Sequence, residues 1–164
     1  MINPELTSLV RQIAPQRLLL LGPCARRIVA EYLAAAPVCD LIEFSDAGQF
    51  VSDSDAARFD LGVVCGVIEH MELREAGVLI ARLRDLLCQR LLLVVPIGEQ
   101  WEHHRSQWQQ PDLLAYGFTL LSSKQRDGRR VEVYGFDLAT YKTTPDWLNA
   151  KYWAHPELFD KYWW

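Results

Sequence analysis

The hydrophobic positions of this chain fall into short solid blocks separated by helical stripes. Residues 17–21 (RLLLL), 40–44 (DLIEF), 61–64 (LGVV) and 91–97 (LLLVVPI) are apolar runs of strand length. Runs with no polar alternation are what strands show when helices cover both faces of their sheet. Between them lie amphipathic stretches. Ile28, Val29, Leu33 and Ala36 make one apolar helix face, closed by Pro37. Ala76, Leu79, Ile80, Leu83 and Leu87 make another, over a helix predicted from Glu72 to Leu87. Asn3-Pro4-Glu5 reads as a helix start, with Asn as N-cap, Pro in the first turn and an acid at the positive end of the helix dipole. Leu6, Leu9, Val10 and Ile13 continue it until Pro15 ends the run.

After Gly98 the pattern changes. Residues 100–110 are polar, with Trp101, Trp108 and the pair His103-His104. Pro111-Asp112 opens a short helix to Tyr116, which Gly117 ends. Residues 118–122 and 130–137 read as strands joined through Arg126-Asp127-Gly128-Arg129, an Asp-Gly hairpin signal in a loop expected to exceed two residues. The order βαβ, βαβ, helix, hairpin predicts an α/β fold. Its sheet is doubly wound and mostly parallel, with a C-terminal antiparallel hairpin at the edge. Residues 1–140 are expected to form this domain and residues 141–164 an aromatic tail.

Length and charge narrow the function classes. A chain of 164 residues makes one domain that buries roughly 70% of its unfolded surface. Its net charge of −4 gives no case for nucleic acid, which calls for a basic stripe. Arg126, Arg129 and Arg130 form a small patch, diluted by Asp127, that reads as a solvated turn. No apolar run approaches the ~20 residues of a membrane-crossing helix, and no signal peptide is evident. The expectation is a cytoplasmic protein that makes no membrane contact. Cys24, Cys39, Cys65 and Cys88 form no CxxC and fit no common zinc spacing, so they read as reduced thiols.

Two segments carry a resemblance: RLLLLGPCARRIVAEYLAAAPVCDLIEF and FDLGVVCGVIEHMELREAGVLIARLRDLLCQRLLLVVPI. They resemble the class I S-adenosylmethionine-dependent methyltransferases. The resemblance implies a truncated methyltransferase-like Rossmann fold, S-adenosylmethionine as cofactor and a small-molecule methyl acceptor. It places Gly22 and Cys24 in the turn that cradles the cofactor's amino-acid end. Glu43, with Phe44 beside it, falls where the family has a ribose-binding acid. Cys65 and Gly66 would line the sulfonium region. Glu69 and His70 would stand beside the substrate, with His70 as general base, and Trp101, His103 and His104 would contact substrate from the following loop. The sequence also departs from the family. Pro23 and Ala25 occupy positions where the family has further glycines. Residues 45–59 are too few for the helix–strand unit whose loop contacts adenine, since a crossover alone takes at least about 10–12 residues. That unit is expected to be shortened or missing, with Asp53 and Asp55 as candidates at the adenine edge.

Other chemistries find less support. Adjacent histidines point different ways, so His103-His104 is a poor ligand pair and no metal is expected. There is no GxSxG for a nucleophilic serine and no GxGxxG for a nicotinamide cofactor. The composition holds six Trp, six Tyr and six Phe, and eight of these aromatics lie between Tyr141 and Trp164. An aromatic end is expected to be docked. Two placements stand open: back over its own domain, or in an interface with a second copy or a protein partner, where Trp and Tyr are enriched. The second placement goes with an alternative function, a non-catalytic methyltransferase-fold protein acting as a binding or oligomerisation module.

Overall fold

The computed structural model describes residues 4–35, 40–50, 58–99, 101–126, 128–141, 155 and 161, and the side chains of all of these except 4, 5, 49, 50 and 126. The elements in chain order are α1 (Pro4–Ile13), β1 (Arg17–Leu21), α2 (Ala25–Ala35), β2 (Asp40–Phe44), α3 (Ala47–Phe50) and β3 (Phe59–Cys65). A 3-10 turn at Ile68–His70 leads into α4 (Leu73–Arg82) and a wider π turn at Leu83–Leu87. Then come β4 (Cys88–Ile97), α5 (Gln110–Ala115), β5 (Thr119–Arg126) and β6 (Arg129–Asp137). The six strands form one sheet in the order β2-β1-β3-β4-β6-β5. β1 pairs parallel with β2 and β3, and β3 with β4, while β6 runs antiparallel to β4 and β5.

The period-two alternation of strands explains why solid apolar runs were needed. Leu18 and Leu20 face one side with Leu61, Val63 and Leu92, under Val10 of α1 and Ala25, Val29 and Tyr32 of α2. Leu19 and Leu21 face the other, with Val64, Leu91, Leu93 and Val95, under Ala76, Leu79, Ile80 and Leu83. Both faces are thus covered, as the runs required. Asp60 ties the sheet's lower edge together: its Oδ2 accepts from the backbone N–H groups of Gln16 (2.8 Å) and Arg17 (2.9 Å).

The element boundaries differ from the sequence reading in three places. β3 begins at Phe59 and β4 at Cys88, because these two buried residues pair with each other ahead of the solid runs. The helix predicted over 72–87 stays α-helical to Arg82, then widens while keeping Leu83 and Leu87 buried. The hairpin loop is shorter than expected: Arg126 pairs with Arg129, leaving two residues between the strands. Among the described residues between β2 and β3, one helical turn, α3, stands where the family carries a further helix and strand. β2 is therefore the sheet edge. Asp53, Asp55 and Cys39 lie outside the described residues, as does the tail from residue 142 apart from 155 and 161. Tyr141, which is described, packs against Phe136 (centroids 5.1 Å apart) beneath the Arg84 guanidinium.

Candidate functional site

The carboxyl ends of β1, β2 and β3 converge on the turn after β1. Gly22 has φ +98°, and a Cβ there would sit 2.2 Å from the Cys65 carbonyl oxygen and 2.4 Å from Val67 Cγ2. Its N–H donates to the Phe44 carbonyl (2.8 Å). The turn is thus clamped between the ends of β2 and β3, and only glycine fits it. Gly66, at φ +77°, presents its missing Cβ toward Cys24 Sγ at 3.2 Å. Burial and a hydrogen bond with Cys24 push the Cys65 thiol far up, so it stays protonated. Burial also pushes Cys88 up to about 12. Neither behaves as a reactive thiolate. The six candidate cofactor residues, Gly22, Cys24, Glu43, Phe44, Cys65 and Gly66, therefore share one rim.

Beside this rim, a cavity of about 280 Å³ is lined by Cys24, Arg27 and Ile28 on one wall and by Cys65, Val94 and Val133 on the other. Glu43 faces solvent at the end of β2 and pairs with Arg26 of α2 (Nη1–Oε2 2.7 Å). Arg26 escaped the sequence reading because a helix-surface arginine carries no signal of its partner on another strand.

The second part of the site is built on the 3-10 turn after β3. Glu69 is 5% exposed, and its Oε2 has no hydrogen-bond partner among the described residues. Burial pushes its carboxyl above the usual glutamate range, against the pull of the Glu69 and Val67 backbone N–H groups and of His70. The loop after β4 is fastened to this turn. The Glu69 carbonyl accepts from the backbone N–H groups of Arg105 (2.9 Å) and Ser106 (3.2 Å). Ser106 Oγ donates to the Ile68 carbonyl (2.9 Å) and accepts from Trp108 Nε1 (3.0 Å). Trp108 is only 1% exposed. The sequence reading saw it as part of a polar stretch; it is the anchor that fixes the loop.

This fastening carries His104 to His70. Their rings lie edge to face with centroids 5.2 Å apart, and Trp101 stacks on His104 at 5.1 Å with 9° between the planes. Trp101 is held by its Nε1 donating to the Ile97 carbonyl (3.3 Å) and lies under the Arg129 guanidinium (5.4 Å). Arg129, read from sequence as part of a solvated turn, caps this stack. Arg130 pairs with the buried Glu132 (Nε–Oε1 3.3 Å). Burial pushes the His104 imidazole below its usual range, reinforced by His70, His103 and Arg129, so it is neutral near neutral pH. His103 is exposed. The structure thus brings together Glu69, His70, Trp101 and His104 and leaves His103 aside.

The turn after β1 offers a cofactor few donors, since the Gly22 N–H is committed to Phe44 and Pro23 has none. Glu43 and the Cys65-Gly66 segment suit the group better. Glu43 is a carboxylate at the rim, held by a surface ion pair that is worth only about 0–1 kcal/mol.

Solved structures share this architecture. Burkholderia thailandensis 1,6-didemethyltoxoflavin-N1-methyltransferase, with bound 1,6-didemethyltoxoflavin and S-adenosylhomocysteine, is similar at a TM-score of 0.57 and 18% identity, over 81% of this chain and 76% of that one. TehB from Haemophilus influenzae is similar at 0.55 and 9% identity, over 82% and 61%. The methyltransferase CalO6 is similar at 0.54 and 13% identity, over 82% and 61%. At these identities the likeness is one of fold: the architecture is methyltransferase-like, as the resemblance implied. No curated protein sequence is a significant match. On that fold, the chain belongs to a family of unknown function, DUF6231, whose model matches residues 1–164.

Proposed function

We propose that the chain binds S-adenosylmethionine at the rim formed by β1, β2 and β3 and transfers its methyl group to a small-molecule acceptor. The observation that carries this reading is that the Gly22 turn, Glu43 and the Cys65-Gly66 segment lie at the carboxyl ends of adjacent parallel strands, with Cys24 and Cys65 lining a cavity of about 280 Å³. Glu43 would take the ribose hydroxyls, with Arg26 swinging aside into solvent. Cys65 and Gly66 would line the reacting end, where a protonated thiol is no competing nucleophile. The bound cofactor would supply a methyl group on a sulfonium, and the protein's task is then to align the acceptor and remove a proton where the acceptor carries one. His70 or the neutral His104 would accept that proton, and Trp101, whose faces carry His104 and Arg129, would meet the acceptor with its edge. His103, exposed beside them, is assigned a contact with the acceptor's outer edge.

Calorimetric titration with S-adenosylmethionine and S-adenosylhomocysteine tests the reading. Micromolar binding is expected. Glu43→Ala should weaken it by roughly 10–100-fold, the value of one charge-assisted hydrogen bond or two, with thermal stability unchanged. No binding at millimolar ligand would remove the cofactor from the account.

A second reading draws on the same turn. The committed Gly22 N–H, Pro23 and the exposed edge at β2 favour a non-catalytic scaffold, with the aromatic segment beyond Tyr141 serving a second copy or a protein partner. Sedimentation of the full-length protein distinguishes the two. A concentration-dependent dimer without cofactor binding supports the scaffold, and a monomer counts against it. No helix among the described residues is long and apolar enough to cross a membrane.

A further inference from the structure

We infer that Glu69, His70 and His104 form a binding site for one divalent transition-metal ion, with zinc the best fit. One carboxylate oxygen and one nitrogen from each imidazole lie within 4.8 Å of one another. A four-coordinate zinc with bonds of about 2.0–2.1 Å needs neighbouring donors roughly 3.4 Å apart, so small side-chain rotations close the site. Two imidazoles and one carboxylate are also the donor set of open zinc sites, in which a fourth position is left to water or to an oxygen of a bound small molecule.

Two geometric features point to a cation here. The Glu69 carboxylate is buried, and its Oε2 is without a partner. A buried polar oxygen left unpaired is costly, and a metal ion would satisfy it. His104 is held in place before any ion arrives, by the Trp101 stack and by the loop fastened through Ser106 and Trp108. Arg129, over the far ring of the stack, is the opposing charge, and the Glu69 carboxylate offsets it. The adjacent pair His103-His104, which argued against a metal in the sequence, is not the pair that matters. The ligands come from two loops 34 positions apart (His70 and His104), and no local spacing reveals them.

With the ion bound, His70 and His104 would spend their lone pairs on it and could not take an acceptor's proton, so the two roles exclude each other, and the test uses the metal alone as its probe. Tag-free full-length protein, stripped by chelator, is titrated with Zn²⁺ by calorimetry and with Co²⁺ by absorption at neutral pH. One ion per chain is expected. His70→Ala, His104→Ala and Glu69→Gln should each weaken it by more than the roughly 10–100-fold that follows loss of an outer partner. His103→Ala should leave it unchanged. The cobalt spectrum should lack thiolate charge-transfer bands. Absence of saturable binding, equal loss in His103→Ala and His104→Ala, or thiolate bands pointing to Cys24 and Cys65, would each overturn the site. Should an alanine variant fail to fold, His104→Gln and the wild-type cobalt spectrum decide the question.

Discussion

Replacing Gly22 by alanine separates a structural glycine from a cofactor-binding one. At φ +98° an L-residue carries a strain of about 1–2 kcal/mol. The new Cβ would also sit 2.2 Å from the Cys65 carbonyl oxygen and 2.4 Å from Val67 Cγ2. Both lie well inside van der Waals contact, and the first is backbone, which cannot rotate away. Relief requires the end of β3 to move by about an ångström, and overpacking of this kind costs about 1–3 kcal/mol. The sum is about 2–5 kcal/mol, a large part of the 5–15 kcal/mol that holds a domain together. For a chain of this size, it lowers Tm by roughly 4–20 °C. Urea unfolding followed by circular dichroism reads the loss directly, with the slope unchanged if the unfolded state is the same. Glu43→Ala, at an exposed position, is the control that should leave stability intact. A Gly22→Ala loss below about 0.5 kcal/mol, the scale of an ordinary surface change, would refute the clamping of the β1 turn against β3.

Other outcomes follow from the same packing. Ala14 ends α1 with φ 46°, so Ala14→Gly should stabilise the protein by about 0.5–1 kcal/mol in urea unfolding; a loss would show that its backbone is not left-handed. Trp108→Ala should cost about 3–5 kcal/mol and speed hydrogen exchange across the loop after β4, whereas a cost under about 1 kcal/mol would mean that the loop is anchored elsewhere. Burial holds the Glu69 carboxyl above its ordinary value, so in metal-free solution its contribution to stability is full below that value. It is lost as pH rises through the window up to the raised folded value. Glu69→Gln should remove this loss in unfolding measured between about pH 4 and 8, and a difference between the two proteins that is flat with pH would mean the carboxylate is solvated.

The fold was legible from local patterns, and parts of the site were not. Strands β1 and β4 announced themselves as solid apolar runs because helices cover both faces of the sheet. The short interval between β2 and β3 announced a unit shortened or missing because a crossover has a minimum length. The placement of Gly22, Glu43 and Cys65 at strand ends also followed from the order of elements. Arg26 against Glu43, Arg129 over Trp101 and Trp108 in the core were not readable, since each depends on a partner brought in from another strand or loop.

The sequence by itself determined the layers of this protein. Period-two and period-3.6 burial are local, and 164 residues with this alternation have few ways to cover a parallel sheet. Only the tertiary structure decided which polar groups meet. Glu69 is buried because its turn lies under a loop pinned by Trp108, and His104 reaches His70 because that loop folds back on the Glu69 carbonyl. The physical reason is one of range: the apolar periodicity that marks strands and helices is carried by positions close in sequence, whereas hydrogen bonds, ion pairs and ligand sets are directional and close only when distant segments dock.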